Sequence, residues 1–463
     1  MNDSSSQAYK KARRQYLKTT RNRDPNIDKA WTPFRAAEKH FKARFPPPDF
    51  AKVLDLATLD ASRAPEVAAG IWAGKSDAVE TRTFVTKSGI KGYDFPSMPG
   101  LILLPGLLSP EKQRELIRWS LVEHSRQPNE TNLDIHYRLP SEGIWNAYVR
   151  DGSAMVHPRP IEANTDYIKQ DSGPRKLIDN IPADTTNFEC LSNVSKPLAP
   201  PSSTIQPATC SDLLPRLRWA NIGWFYHWGT KQYDFSKGKI PVHDTIRKIC
   251  KDAVQSVDWK EIFSSTNFDW GPNGPDWMDW QENYEPDAGI VNFYQTKDTL
   301  MAHVDRSEVC ATSPLVSISL GHAAVFLIGG LTRETEPIPI LLRSGDVVIM
   351  SGPACRRAYH GVPRILENTL PPHMADVVDD PEWSTYKNYM DSTRININVR
   401  QVSSLGISPT FSTTLILAGN EGAHSKIEKT CSRYRKSNLG SFKIEDSWIA
   451  EYTTQILFTA SHQ

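Results

Sequence analysis

An excess of one charge is missing from this 463-residue chain, in which 54 Lys and Arg face 53 Asp and Glu. A uniformly basic coat for nucleic acid is thereby excluded, so any such site must come from local patches. C-x-x-C pairs are also absent. The six cysteines, at 190, 210, 250, 310, 355 and 431, are scattered, which suits reduced thiols better than a disulfide framework or a zinc knuckle. No apolar run approaches the length of a membrane span, so no membrane partner is expected. The N-terminus lacks the apolar core of a secretory signal. The first 29 residues are basic, yet Asp24 and Asp28 fit a mitochondrial transit peptide poorly. Nucleus, cytoplasm and mitochondrion all stay open as locations. No internal repeat is found.

What is present is aromatic: 13 Trp, 15 Tyr and 16 Phe, enough to fill the core of one large or two ordinary domains. Residues 1–30 read as a basic, disordered tail, with a nucleic-acid-binding arm as the alternative. Phe34 to Phe45 has the spacing of a short amphipathic helix, stopped by Pro46-Pro47-Pro48. Leu101-Ile102-Leu103-Leu104 predicts a buried strand, and Ser109-Pro110 predicts the start of a helix, with Ser109 as its cap. From about 150 to 215 the chain is rich in Pro, Ser, Thr, Asp and Asn, which predicts a disordered insertion. A dense aromatic stretch follows, from Arg218 to Tyr233.

From 288 to 402 short apolar runs alternate with glycine-bearing joints. Strands are predicted at 289–294, 315–320, 323–328, 338–342, 346–350 and 394–402. Such spacing suggests a β-sandwich or jelly roll rather than a parallel sheet. The segment after about 405 has no clear pattern.

Within this region His303-Val304-Asp305 is the first chemical signal. On a strand, residues i and i+2 point to one face, so an imidazole and a carboxylate can converge. Non-haem iron centres need two His and one carboxylate with the other positions open. Alone, His-x-Asp is weak. His360, 55 residues after Asp305, is the best second histidine, since His322 lies in a glycine turn and His373 in a proline-rich loop. Arg394 to Arg400 then alternates without a break, placing Ile395, Ile397 and Val399 on one side and Arg394, Asn396, Asn398 and Arg400 on the other. A half-exposed strand would look the same. A dicarboxylate in a polar interior would also need such a face, because a guanidinium forks onto a carboxylate.

Asn292-Phe293-Tyr294, His303-Val304-Asp305, His360 and Arg394-x-Asn396-x-x-x-Arg400, in this order, resemble the signature of the AlkB family. The surrounding HVDRSE (303–308), FLIGG (326–330), SGDVVIMSG (344–352), HGVPRI (360–365) and RININVRQV (394–402) narrow the likeness to its AlkB homologue 1 branch. So do FRAAEKHFKARFPPPDF (34–50), MPGLILLPGLL (98–108) and LRWANIGWFYHW (217–228) outside the barrel motifs. The likeness runs from about 31 to 405, with gaps.

The resemblance implies an α+β fold: a double-stranded β-helix (jelly-roll) catalytic core at 288–405, preceded at 31–287 by N-terminal helices and a nucleotide-recognition lid. The extension 406–463 has no recognised counterpart. Fe(II) would be held by His303, Asp305 and His360, with 2-oxoglutarate and O2 as cosubstrates. Arg394 would pair with the distal carboxylate of 2-oxoglutarate, and Asn292, Tyr294, Asn396 and Arg400 would line the same pocket. Trp219 and Tyr226, ahead of the core, are the candidates for gripping the target base, against a plain packing role.

The activity implied is oxidative demethylation of nucleic-acid bases by a monomer, with methyladenine in tRNA, DNA or RNA as substrate. Formaldehyde and succinate would be released, and the base would have to leave any duplex to reach a buried metal. Ser307 stands where bacterial members carry an acidic residue, so the bacterial specificity does not transfer. Two other readings use the same residues differently: a protein (histone) demethylase or hydroxylase, and a catalytically silent nucleic-acid-binding scaffold.

Overall fold

Short apolar runs bounded by turns become strands, and their pairing builds two antiparallel sheets. In the computed structural model the described residues are 7–20 and 31–402, excepting 70–71, 88, 162–181, 195, 203, 265, 272–273 and 376–379. In chain order the strands are β1 (Arg82–Val85), β2 (Lys91–Asp94), β3 (Leu101–Leu104), β4 (Met155–Val156), β5 (Ala208–Thr209), β6 (Trp219–His227) and β7 (Gln232–Lys239). They continue with β8 (Ala288–Gln295), β9 (Leu300–His303), β10 (Leu315–Gly321), β11 (Ala324–Ile328) and β12 (Ile338–Leu342). The last are β13 (Val347–Met350), β14 (His360–Ile365) and β15 (Thr393–Arg400). The major sheet runs β1-β2-β3-β13-β10-β15-β8-β6-β7, the minor one β12-β11-β14-β9, while β4 and β5 pair separately.

The sheets face each other. Leu103, Leu315, Val348 and Met350 of the major sheet share one apolar cluster with Phe326, Ile328, Ile340 and Leu342 of the minor one. The opposite face of the major sheet, carrying Val291, Phe293, Ile395, Ile397 and Val399, packs on helices that contribute Ile117, Trp145, Ile246 and Val254. Helix Pro33–Lys42 covers the outer face of the minor sheet, with Phe34 and Phe41 against Val325, Leu327 and Leu341. Strands such as β3, β11 and β13 are thus covered on both sides, which explains why they read as continuous apolar runs.

All six strands predicted between 288 and 402 form, and Ser109 caps helix Pro110–Arg118 through its hydroxyl as expected. Other expectations are revised. The core does not begin at 288, because β3 and β6 are integral to the major sheet. Residues 7–20, expected as disordered tail, form a helix whose Tyr9 and Tyr16 pack edge-on against Phe45. The expected insertion is ordered in much of its length: β4 pairs with β5, and a helix spans Phe188–Ser192. The extension 406–463 lies outside the described residues. Cys210, Cys250, Cys310 and Cys355 are free thiols. No helix among the described residues is long and apolar enough to cross a membrane.

Two features hold strands that sequence distance would separate. Gly223 sits where β6 stops pairing with β8 and starts pairing with β7, at φ 69. A Cβ there would lie 2.0 Å from the carbonyl oxygen of Asp287, so the crossing requires glycine. Arg343, fully buried between β12 and β13, forks onto Asp55 at 3.2 and 2.8 Å. That pair ties the N-terminal segment to the sheet, and truncating either partner would strand a buried charge at a cost of about 3–5 kcal/mol.

His124 stacks on Trp119 with ring centroids 4.4 Å apart and is buried. Burial, reinforced by His243, pushes its pKa down to about 3. The unfolded imidazole titrates near 6.5, so the unfolded state takes up the proton first as pH falls. Stability from keeping this ring neutral is complete above pH 6.5 and is lost from there toward pH 3. Urea unfolding between pH 7 and 4.5 should show His124→Gln losing about 2–3 kcal/mol less than the native chain. Parallel pH profiles for the two would refute this.

Candidate functional site

The two candidate histidines are cross-strand partners. Pairing of β14 with β9 sets His360 directly opposite His303, and their rings lie 4.4 Å apart. The Nδ1 atoms lie 3.0 Å from the carbonyl oxygens of Ala358 and Met301, respectively. A carbonyl only accepts, so each Nδ1 carries the proton and each Nε2 presents a lone pair to the space between the sheets. Burial first, then His303, pushes the His360 pKa down to about 4, which keeps this ring neutral near pH 7.

Asp305 completes the set from the loop just after β9, beyond the strand on which the i, i+2 argument placed it. Its carboxylate comes within 3.7 Å of His303 Nε2, and ligand atoms of His303, Asp305 and His360 all lie within 4.8 Å of one another. Burial opposes the charge on Asp305. Arg400, followed by His360, His303 and Arg356, outweighs that and holds the carboxyl well below the usual range. Arg400 donates from one terminal nitrogen to Asp305 at 2.9 Å and to buried Glu308 at 2.5 Å, and from the other to Asn398 at 3.0 Å. The Arg357 guanidinium donates to the backbone carbonyl of Asp305 at 2.6 Å and to that of Ala183 at 3.1 Å. Two imidazoles and one ionised carboxylate, with His303 still 37% exposed, fit Fe(II) with coordination positions left open.

The polar side of β15 faces this centre. Ile395, Ile397 and Val399 are fully buried against the helices, whereas Asn396 and Asn398 on the other face keep partial exposure. Register sets Tyr294 opposite Arg394 and Asn292 opposite Asn396, so four of the predicted pocket residues share one patch. Asn396 donates to Ser317 and to the Ile318 carbonyl. Arg394 is 2% exposed and donates to the His322 carbonyl at 2.7 Å and to the Ser319 hydroxyl at 2.8 Å, but its Nε has no partner. Burial pushes its pKa down to about 10, which still leaves it cationic. Among the described residues no carboxylate pairs with it. A buried guanidinium without a counter-ion is costly, and the donor set suits a ligand carboxylate such as that of 2-oxoglutarate.

Arg400, expected to line the same pocket, lies at the other end of that polar face with its terminal nitrogens engaged by Asp305, Glu308 and Asn398. It thereby supports the Asp305 carboxylate. Trp219 is half-buried and sits opposite Asn292 on the shared face of β6 and β8. Tyr226 feels Glu308, Asp305 and Arg400, and burial with those carboxylates raises its pKa, so the phenol is neutral. Sequence reasoning missed Glu308, Arg356, Arg357, Ser319 and Tyr233. Glu308 lies inside HVDRSE and Arg356 and Arg357 lie just ahead of His360, whereas Ser319 and Tyr233 carried no such signal; adjacency in the chain does not show which groups meet across sheets.

Arg400→Lys would keep the charge while losing the geometry that reaches two carboxylates and Asn398. Co(II) titration of the purified chain should show metal affinity falling by about 10-fold. Unchanged affinity would mean that Asp305 is positioned without Arg400.

The match to known proteins follows the same residues. Residues 193–400 match the model of the 2OG-Fe(II) oxygenase superfamily, whose members use iron(II), 2-oxoglutarate and dioxygen. The tRNA demethylase abh1 of Schizosaccharomyces pombe is 29% identical over 379 residues, covering 80% of this chain and 95% of the relative. The DNA N(6)-methyladenine demethylase ALKBH1A of Arabidopsis thaliana is 28% identical over 307 residues, covering 66% and 75%. The nucleic acid dioxygenase ALKBH1 of Mus musculus is 25% identical over 336 residues, covering 69% and 67%. The comparisons therefore support the 2OG-Fe(II) oxygenase superfamily over residues 193–400 and, within it, a likeness to the AlkB homologue 1 branch.

Proposed function

We propose that this enzyme removes methyl groups oxidatively from nucleic-acid bases, with methyladenine in tRNA, DNA or RNA as its substrate. The observation that carries this reading is the aromatic strand β6. It is hydrogen-bonded into the catalytic sheet, so Trp219 and Tyr226 stand beside the 2-oxoglutarate pocket and the metal ligands. The names of the relatives, which include a tRNA, a DNA and an RNA demethylase, support the same substrate class. Under this reading the facing sheets are the jelly roll, and the β6–β7 hairpin is the nucleotide-recognition lid. The enzyme acts as a monomer in the nucleus or cytoplasm, with the mitochondrion as a further site.

His303, Asp305 and His360 would hold Fe(II), and Arg394 would anchor the distal carboxylate of 2-oxoglutarate. Iron(II) with 2-oxoglutarate and O2 supplies the oxidising power that hydroxylates the methyl carbon, yielding succinate and carbon dioxide. The hydroxymethyl group then leaves as formaldehyde, and its nitrogen regains a proton. The protein's task is positioning. Arg400 keeps Asp305 ionised and aimed. Asn292, Tyr294 and Asn396 line the cosubstrate, and Trp219 and Tyr226 orient the base, which must be unpaired to enter. A silent scaffold has no use for a buried, unpaired Arg394 beside a complete ligand set.

Formaldehyde and succinate release would be measured with Fe(II), ascorbate and 2-oxoglutarate, using tRNA, N6-methyladenine DNA, histone peptides or no substrate. Turnover is expected with methylated nucleic acid, and turnover with peptide alone would move the function to protein modification. Asp305→Ala should abolish turnover, and retained activity would dismiss the metal assignment. Arg394→Ala should raise the 2-oxoglutarate KM by about 10-fold or more, and normal cosubstrate dependence would remove it from the pocket. Trp219→Ala should impair base oxidation more than uncoupled 2-oxoglutarate decay, and equal effects would return Trp219 to a packing role.

A further inference from the structure

The tip of the β6–β7 hairpin carries an aromatic side chain on the surface. Trp228 is 38% exposed, and no other tryptophan among the described residues is exposed to that degree. Its ring is nevertheless fixed. Trp219 stacks on one face with centroids 5.0 Å apart and planes 28° from parallel, while Tyr226 meets it edge-on at 4.9 Å. An exposed indole already held in one orientation loses little freedom when a second ring stacks on it.

The turn that carries it is anchored to the active site. Ser307, two residues after Asp305, donates its hydroxyl to the Lys231 carbonyl at 3.0 Å. Tyr226 continues the aromatic file inward, meeting buried Tyr233 edge-on at 5.3 Å. On the same hairpin Lys231, Lys237 and Lys239 are exposed, Lys237 pairing with Glu130 at 2.8 Å, whereas Asp234, the single acidic residue between 219 and 239, is buried. Aromatic rings beside surface cations are the two elements that grip single-stranded nucleic acid without reading its sequence.

We infer that Trp228 is the stacking platform for the unpaired base next to the one being oxidised. This rests on the proposed nucleic-acid substrate and deepens it. Trp219 and Tyr226 orient the target inside, while Trp228 takes the neighbour at the mouth. The preferred substrate is thereby a strand in which at least two consecutive bases are unstacked, such as a loop or bulge. A rigid duplex cannot offer the neighbour without further unpairing.

The test is a binding cycle with the full chain, Mn(II) in place of iron, and 2-oxoglutarate present. Two fluorescent single-stranded pentanucleotides carry a central N6-methyladenine. In one all flanking bases are intact, and in the other both neighbours are abasic. The native chain should bind the abasic probe about 10-fold more weakly, as loss of one base–aromatic stack predicts. Trp228→Ala should bind both probes at that weaker level, and Trp228→Phe should restore the difference. If Trp228→Ala discriminates the probes as well as the native chain does, the platform is elsewhere and the inference fails alone. If the native chain binds neither probe, the nucleic-acid reading falls and takes this inference with it.

Discussion

A carboxylate that must stay ionised out of water needs a fixed counter-charge, and in this protein Arg400 provides it to Asp305. The rest of the site is arranged around that requirement. Arg400 can reach Asp305 because β15 runs through the middle of the major sheet, between β10 and β8. Its polar face is turned inward, toward the minor sheet that brings His303 and His360. Buried Glu308 balances the same guanidinium from the loop. A cluster of opposite charges in low dielectric holds together only if every member is paired. Within this cluster Arg400 pairs as an ion with both Asp305 and Glu308, while among the described residues Arg394 at the far end of the strand meets no carboxylate.

The sheets also explain how a site assembled from distant residues can be rigid. The histidines are adjacent because two strands pair in one register, and a one-residue slip would turn one of them to the opposite face. Their backbone-bonded Nδ1 atoms set which nitrogen is available. At the other edge, β6 changes partner at Gly223, so one strand belongs both to the major sheet and to the hairpin with β7. The hairpin is therefore coupled to the strand bearing Asn292 by backbone hydrogen bonds rather than by a flexible linker. The Ser307–Lys231 contact closes the loop back onto the metal ligand.

Much of this was legible beforehand, and the legible parts share a cause. Alternation from Arg394 to Arg400 has period two, and a strand with that period has two distinct faces wherever it sits. The apolar runs at 315–320, 338–342 and 346–350 leave little alternative to buried strands. Local sequence likewise placed the cap at Ser109. By contrast, composition misread residues 7–20 and parts of 150–215, because polar, proline-rich chain orders readily when a few side chains find an existing surface. Tyr9 and Tyr16 on Phe45 do that at the N-terminus, and beside the site the Ala183 backbone N–H has the same effect by donating to the Arg306 carbonyl.

The residue types for chemistry, their order along the chain and the two-faced character of β15 were determined by the sequence alone, since each depends only on neighbours a few positions away. Tertiary structure decided which groups meet: His303 with His360, Arg400 with Asp305, Trp228 on Trp219. Those contacts depend on strand register and on the crossing at Gly223. Such relations link residues tens to hundreds of positions apart, and no local period encodes them.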